Sequence, residues 1–189
     1  MKIKLYLIIA GVILSFILAG CGAKPSGDEK AQTKTEDKKI SSFTNNLQTA
    51  GAEYTISFVM TSAVIQEAVK LTKDDSEAEK DINEYLKAPG GMGASESAFG
   101  FTNAQNSIDY ITKADPDFQY IYTTYKTLPP SFKDDFLNMK NLIDENINLI
   151  HAFRRGELHK DNLQSWMDND KKIHDLYESI SLEVQRIQN

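Results

Sequence analysis

The residue types that most often carry chemistry are few in this chain: one cysteine, Cys21, and three histidines, His151, His159 and His174. A di-iron helical bundle needs Glu-x-x-His pairs, but no histidine here has a glutamate three positions before it. The His-Glu-x-x-His pattern of zinc proteases is also missing from the sequence. We therefore interpret the histidines as surface or helix-capping residues and predict neither a metal nor a cofactor.

The sequence gives no better support for nucleophilic catalysis or for chemistry by paired carboxylates. The sequence has no Gly-x-Ser-x-Gly elbow. The pairs Asp74-Asp75 and Asp134-Asp135 come at predicted helix starts, where the helix dipole favours anions. Asp168-Asn169-Asp170 is too short for a calcium loop and falls within a predicted helix. We expect a protein that is not an enzyme.

The N-terminus carries the most specific pattern. Two lysines precede an apolar run from Leu5 to Ile17, and Leu18-Ala19-Gly20-Cys21 closes that run. A basic segment, an apolar segment and small residues before the cut are the parts of a secretory signal. The four-residue motif resembles the lipobox of bacterial lipoproteins. That resemblance implies a diacylglyceryl group on the Cys21 thiol and signal cleavage between Gly20 and Cys21.

An uncleaved transmembrane helix is the alternative for this segment. The uncharged run from Leu5 to Ala23 nearly reaches the roughly 20 residues that span a bilayer. Gly11, Gly20 and Gly22 are poor helix formers, which favours the lipoprotein interpretation. Either way, we expect the domain to face outside the cytoplasm at the cell membrane.

Composition restricts the partners. Without residues 1–20 the chain keeps 19 basic and 27 acidic residues, a net charge of −8. Nucleic acid and anionic lipid headgroups reward clustered Lys and Arg, so we expect neither as a partner. A single cysteine allows no disulfide within the chain. The Lys-, Asn- and Ile-rich composition favours a low-GC Gram-positive source.

These signals divide the chain into three parts: a signal peptide over 1–20, a lipidated N-terminus with a flexible tether over 21–39, and a helical domain over 40–189. The tether interpretation rests on residues 22–39, which include no large apolar side chain able to offset ordering entropy.

Helical periodicity begins at Ile40. Apolar residues recur at threes and fours through Val69, which predicts one long helix. Between Tyr54 and Gln66 this helix has no charge, and Ile56, Val59, Met60 and Val64 lie off its main stripe. Central burial is one explanation of these residues, and a face for self-association or a partner is the other.

Ser76 and Glu79 form a capping-box pattern that predicts a second, short helix. A Gly-rich segment over about 88–101 follows and predicts a mobile connecting loop. Thr102 with Gln105, and then Asp115-Pro116, predict the starts of two further short helices.

Two long helices complete the chain. One begins near Ser131 and ends before Gly156, which is placed as a C′ residue. The other begins near Lys160. The sequence thus predicts an all-α fold, an antiparallel helical bundle of three long and two or three shorter helices.

Aromatic residues cluster between Tyr110 and Tyr125. Tyr120 lies off the face that Phe118 and Tyr122 share, so Tyr110 and Tyr120 are candidates for a binding surface. Core packing is the alternative for these rings. From all these features we expect a lipid-anchored, non-enzymatic interaction domain that binds another cell-envelope protein. The alternative is a bundle that binds a small apolar ligand or a cell-wall fragment.

Overall fold

The computed structural model describes residues 30–71, 78–88 and 92–188, with side chains described over 34–69, 78–88 and 100–188. The described residues form an all-α helical bundle, so the predicted fold class is confirmed. The helices are α1 (Lys30–Leu71), α2 (Ala78–Lys87), α3 (Met92–Thr124), α4 (Ser131–Arg154) and α5 (Lys160–Gln188).

The four long helices form a closed ring in which α1 packs on α3, α3 on α4, α4 on α5 and α5 on α1. Helices α1 and α3 run antiparallel, and so do α4 and α5, because residue numbers rise along one helix as those of the contacting residues fall along the other. Pairs that show this are Lys39 with Asp117, Ala50 with Ser107, Asp135 with Ser179, and Asn146 with Asn169. The short helix α2 packs on α1, α3 and α4.

Two apolar clusters fill the bundle. The main cluster includes Phe43, Leu47, Ile111, Phe118, Ile121, Phe132, Phe136, Met139, Ile143, Ile173 and Ile180. The end cluster consists of Val64, Ile65, Ala68, Ile82, Leu86, Phe153, Leu158 and Trp166. Their burial supplies most of the stability that a chain without disulfides requires.

Helix α1 begins at Lys30, ten residues before the predicted start of the domain. The interpretation of residues 30–39 as a flexible tether is therefore wrong, whereas residues 21–29 lie outside the described part of the chain. Residues 30–39 belong to the same helix as the buried stripe that starts at Ile40. They also contribute Lys39, whose Nζ lies 2.6 Å from Asp117 Oδ1 on α3.

The predicted Gly-rich loop over 88–101 is wrong for most of its length, because α3 begins at Met92. Residues 89–91 lie outside the described residues. Gly100 is buried in the helix against α1, where an added Cβ would lie 2.9 Å from Thr61 Oγ1 and 3.2 Å from the Ser57 carbonyl oxygen. Glycine at this position permits the two helices to approach closely. From composition alone, the glycine-rich segment was interpreted as flexible.

The predicted breaks at Thr102 and at Asp115-Pro116 are also wrong, because α3 continues through both. The bundle therefore has four long helices where three were expected. Ala114, Phe118 and Ile121 keep one buried stripe on both sides of Pro116. Tertiary packing of this stripe outweighs the loss of one backbone N–H at the proline.

The predicted start and end of α4 and the predicted start of α5 are confirmed. Gly156 has φ 72°, and its N–H donates to Phe153 O while that of Glu157 donates to Ala152 O, which is the Schellman pattern. Helix α4 begins at Ser131 without a side-chain cap. Helix α5 begins at Lys160, and Leu158 and Leu163 both pack in the end cluster. Of the α2 capping pair, Ser76 lies outside the described residues.

Candidate functional site

The outward side of α1 carries an apolar stripe, here called the outer face and defined by Ala52, Ile56, Val59, Met60 and Ala63. Their spacing places them within about 100° of the helix circumference. Ile56 is 42% exposed, Ala52 and Ala63 are exposed, and Val59 and Met60 are half-buried. No charged residue occurs between Tyr54 and Gln66. This chain therefore leaves an uncharged apolar helix face in contact with solvent.

The inward side of the same turns carries buried hydroxyls among its apolar side chains. Ser57 and Thr61 are 1% and 2% exposed and face α3, where Asn103 is also buried. In the described structure Ser57 Oγ, Thr61 Oγ1 and Asn103 Oδ1 have no hydrogen-bond partner. Unpaired buried hydroxyls cost free energy, so these two positions weaken the packing of α1 on α3.

The sequence allowed two interpretations of this charge-free stretch, central burial and a binding face. Each of them applies to different residues. Tyr54, Val64 and Ile65 belong to the core. Ile56 does not, and it forms the centre of the outer face.

A second feature is a group of polar side chains between α1, α4 and α5, here called the polar layer and defined by the buried Tyr54, Asn146 and Asn169 and the half-buried Asp170 and His174. Asn146 Nδ2 donates to Tyr54 Oη at 2.7 Å and to the Trp166 carbonyl oxygen at 3.3 Å. Asn169 Nδ2 donates to Asn146 Oδ1 at 3.1 Å. On α5 these residues separate Trp166 of the end cluster from Ile173 of the main cluster.

The polar layer contains one acid whose titration is strongly perturbed. Burial raises the pKa of the Asp170 carboxyl to about 6, against the opposing effects of His174 and of a hydrogen bond with Tyr54. The pKa of Tyr54 is also raised well above its usual value, first by burial and then by the charge of Asp170. The layer can therefore exchange a proton with solvent in the mildly acidic range.

The space beside the polar layer is small. A cavity of about 10 Å³ lies next to Tyr54 and is otherwise lined mainly by main-cluster side chains such as Leu47, Ile143 and Ile173. That volume holds about one water molecule. The layer is therefore suited to binding a proton and has no room for an organic substrate at this position.

The histidines are dispersed. His159 Nδ1 lies 2.6 Å from Glu79 at the surface, as expected for a residue near a helix start. His151 packs against Phe101 with ring centroids 4.2 Å apart, and burial followed by the charges of Arg154 and Arg155 lowers its pKa. In the part of the chain that is described, no three His, Cys, Asp or Glu residues converge as a metal site would require.

The candidates Tyr110 and Tyr120 both lie on α3, and their part in a binding surface stays a prediction. Both rings are partly buried against the main cluster, and Lys113 Nζ lies 4.4 Å from the Tyr110 ring centroid. Ten residues separate the two tyrosines on α3, which corresponds to about 15 Å along the axis. Core packing accounts for the contacts of both rings.

A shallow groove of about 420 Å³ lies between α4 and α5 and is open to solvent. Neither tyrosine is among the residues that line it, which are Asn138, Asn141, Leu142, Lys172, Asp175 and Leu176.

The lipobox residues Gly20 and Cys21 lie outside the described residues. Among the helices that are described, none combines the length and apolar character needed to cross a membrane. Comparison of the chain with protein-family models, curated proteins and solved structures gives no match. The function is therefore argued from the residues and their geometry.

Proposed function

We propose that this protein is a lipid-anchored interaction domain that works outside the cytoplasmic membrane and binds another envelope protein through the outer face of α1. The anchor part rests on the sequence Leu18-Ala19-Gly20-Cys21. The binding part rests on one observation, the exposure of Ile56 within an uncharged apolar helix face. Exposed apolar patches of this kind are typical of protein interaction sites.

The shape of the outer face restricts the partner. From Ala52 to Ala63 the face is one helix wide and about 17 Å long. An apolar stripe on a helix of the partner matches that shape. Because the chain as a whole carries a net negative charge, basic residues at the rim of the partner would complement it.

The size of the face restricts the affinity. A face of one helix and about three turns buries less than the roughly 800 Å² per partner of a standard stable interface. Binding between freely diffusing molecules is therefore weak. Anchoring both partners to one membrane raises their effective concentration and compensates for the small area.

Photo-crosslinking in intact cells tests this proposal. A photoreactive phenylalanine analogue at Ile56 should give a crosslinked product with a different envelope protein. The matched control is the same substitution at Leu182 of α5, which is 52% exposed. Ile56→Glu should abolish capture of that partner at unchanged helix content, whereas Leu182→Glu should not.

Two results would contradict the proposal. Equal crosslinking at both positions would mean that capture depends only on exposure. A product that contains two copies of this chain would show that the outer face serves self-association and does not bind a different protein.

A further inference from the structure

Asp170 occupies an unusual position on α5, because one of its carboxylate oxygens is buried without a hydrogen-bond donor. Oδ1 is fully shielded from solvent and accepts no hydrogen bond in the described structure. The nearest basic group is His174, whose Nε2 lies 3.6 Å from Oδ1. That distance is too long for a hydrogen bond but fits an ion pair. The two side chains are 17% and 35% exposed, with Asp170 the more buried.

The amide donor of Asn146, which lies beside Tyr54, is already engaged. Helix α5 packs against α1 and α4. Among the described residues, the groups that act on the Asp170 carboxyl are His174 on α5 and Tyr54 on α1, and Asn146 of α4 hydrogen-bonds that tyrosine. Both amide hydrogens of Asn146 are directed elsewhere. A charge on Asp170 is therefore poorly compensated inside the bundle.

We propose that Asp170 and His174 form a proton-binding site within the polar layer, and that proton uptake tightens the packing of α5 on α1 and α4. The proton comes from solvent and no other bond is made or broken. Once neutral, the Asp170 carboxyl no longer presents a buried anionic oxygen without a donor. The uptake removes the uncompensated negative charge from the region between the two apolar clusters.

The direction of the pH effect follows from linkage. The Asp170 carboxyl has a pKa of about 6 in the folded chain, whereas an unfolded aspartate titrates near 4. The folded state therefore binds more protons between about pH 4 and pH 6. The stabilisation by Asp170 is fully present below about pH 4 and is lost as the pH rises through 6. The full difference corresponds to roughly 100-fold in the folding equilibrium constant. This effect is independent of partner binding.

The test compares Asp170→Asn with Asp168→Asn in the mature chain, residues 21–189, with Cys21→Ser to prevent acylation. Asp168 is exposed on the same helix, so its substitution changes the net charge equally. Urea unfolding is measured at pH 7.5 and pH 5.0. From pH 7.5 to pH 5.0, the folding equilibrium constant should rise about 10-fold more in the parent and in Asp168→Asn than in Asp170→Asn. Equal pH dependence in all three proteins would overturn the proposal.

A direct titration keeps the proposal testable if Asp170→Asn fails to fold. Carbon-13 NMR of the side-chain carboxyl in the parent should show a midpoint near pH 6 for Asp170, and a midpoint near 4 would overturn the proposal. His174→Gln should raise the Asp170 midpoint, because the cationic imidazole opposes protonation. An unchanged midpoint in that variant would overturn the pairing of the two residues.

Discussion

The side-chain amide of Asn83 hydrogen-bonds both backbone groups of Leu158, 75 residues away. Its Nδ2 donates to the Leu158 carbonyl oxygen at 2.9 Å, and its Oδ1 accepts from the Leu158 N–H at 2.8 Å. Both residues are buried. This pair fixes the connection between α4 and α5 against α2, next to the left-handed Gly156.

Asn83→Ala should destabilise the domain by about 2–4 kcal/mol, because it leaves two buried backbone groups without partners. The measurement is the free energy of unfolding in urea. Glu84→Ala is the control, since Glu84 is exposed on the same helix. If both variants unfold at the same urea concentration, the pair makes no contribution to stability.

Gly100→Ala should destabilise the domain, although the same change in an open helix gains up to about 1 kcal/mol. The added Cβ would lie 2.9 Å from Thr61 Oγ1, so α1 and α3 must separate slightly. Overpacking of this kind costs about 1–3 kcal/mol. The net expectation is a loss of about 1–2 kcal/mol in thermal or urea unfolding.

A double-mutant cycle with Thr61→Ala identifies the cause. Thr61→Ala removes the nearest atom and also removes a buried hydroxyl without a partner. Gly100→Ala should therefore be less harmful in the Thr61→Ala background. Additive effects would place the strain elsewhere.

Lys39→Met tests whether the first turns of α1 pack on α3, where the sequence predicts a flexible tether. Asp117 is 7% exposed, and Lys39 is its ion-pair partner at 2.6 Å. Removing the lysine leaves a buried carboxylate unpaired, which should cost about 1–2 kcal/mol after allowance for the partly exposed Lys39. Lys38→Met, at an exposed position, is the control and should leave the unfolding free energy unchanged. Identical stability of the two variants would mean that this part of α1 does not pack on α3.

The structure also shows which parts of the fold were visible in the sequence. Gly156 was predicted correctly because its signal is local. A glycine follows a cationic last turn at the end of a periodic apolar stripe, and in the structure it adopts the positive φ of a C′ residue. Pro116 and Gly100 were misjudged because their local preferences are overridden by contacts with distant helices. Sequence propensity includes no term for such contacts.

The polar layer was missed for a related reason. Asn146 and Asn169 occupy core positions of otherwise apolar stripes. Their polarity at those positions was the sequence signal for a buried polar layer. Asp168-Asn169-Asp170 was considered only as a calcium loop. The hydrogen bond between Asn169 and Asn146 joins residues 23 positions apart, so only the packed bundle brings them together.

Cys21→Ala tests the anchor. If Cys21 carries a diacylglyceryl group, the variant should lose incorporation of labelled fatty acid, and the protein should remain unprocessed or be released from the membrane. Two acyl chains are enough for stable attachment, so no other anchor is needed. Ser26→Ala, beyond the motif, is the control and should be labelled normally. Undiminished labelling of Cys21→Ala would refute the lipobox. Unlabelled parent protein that retains residues 1–20 in the membrane would favour an uncleaved transmembrane helix.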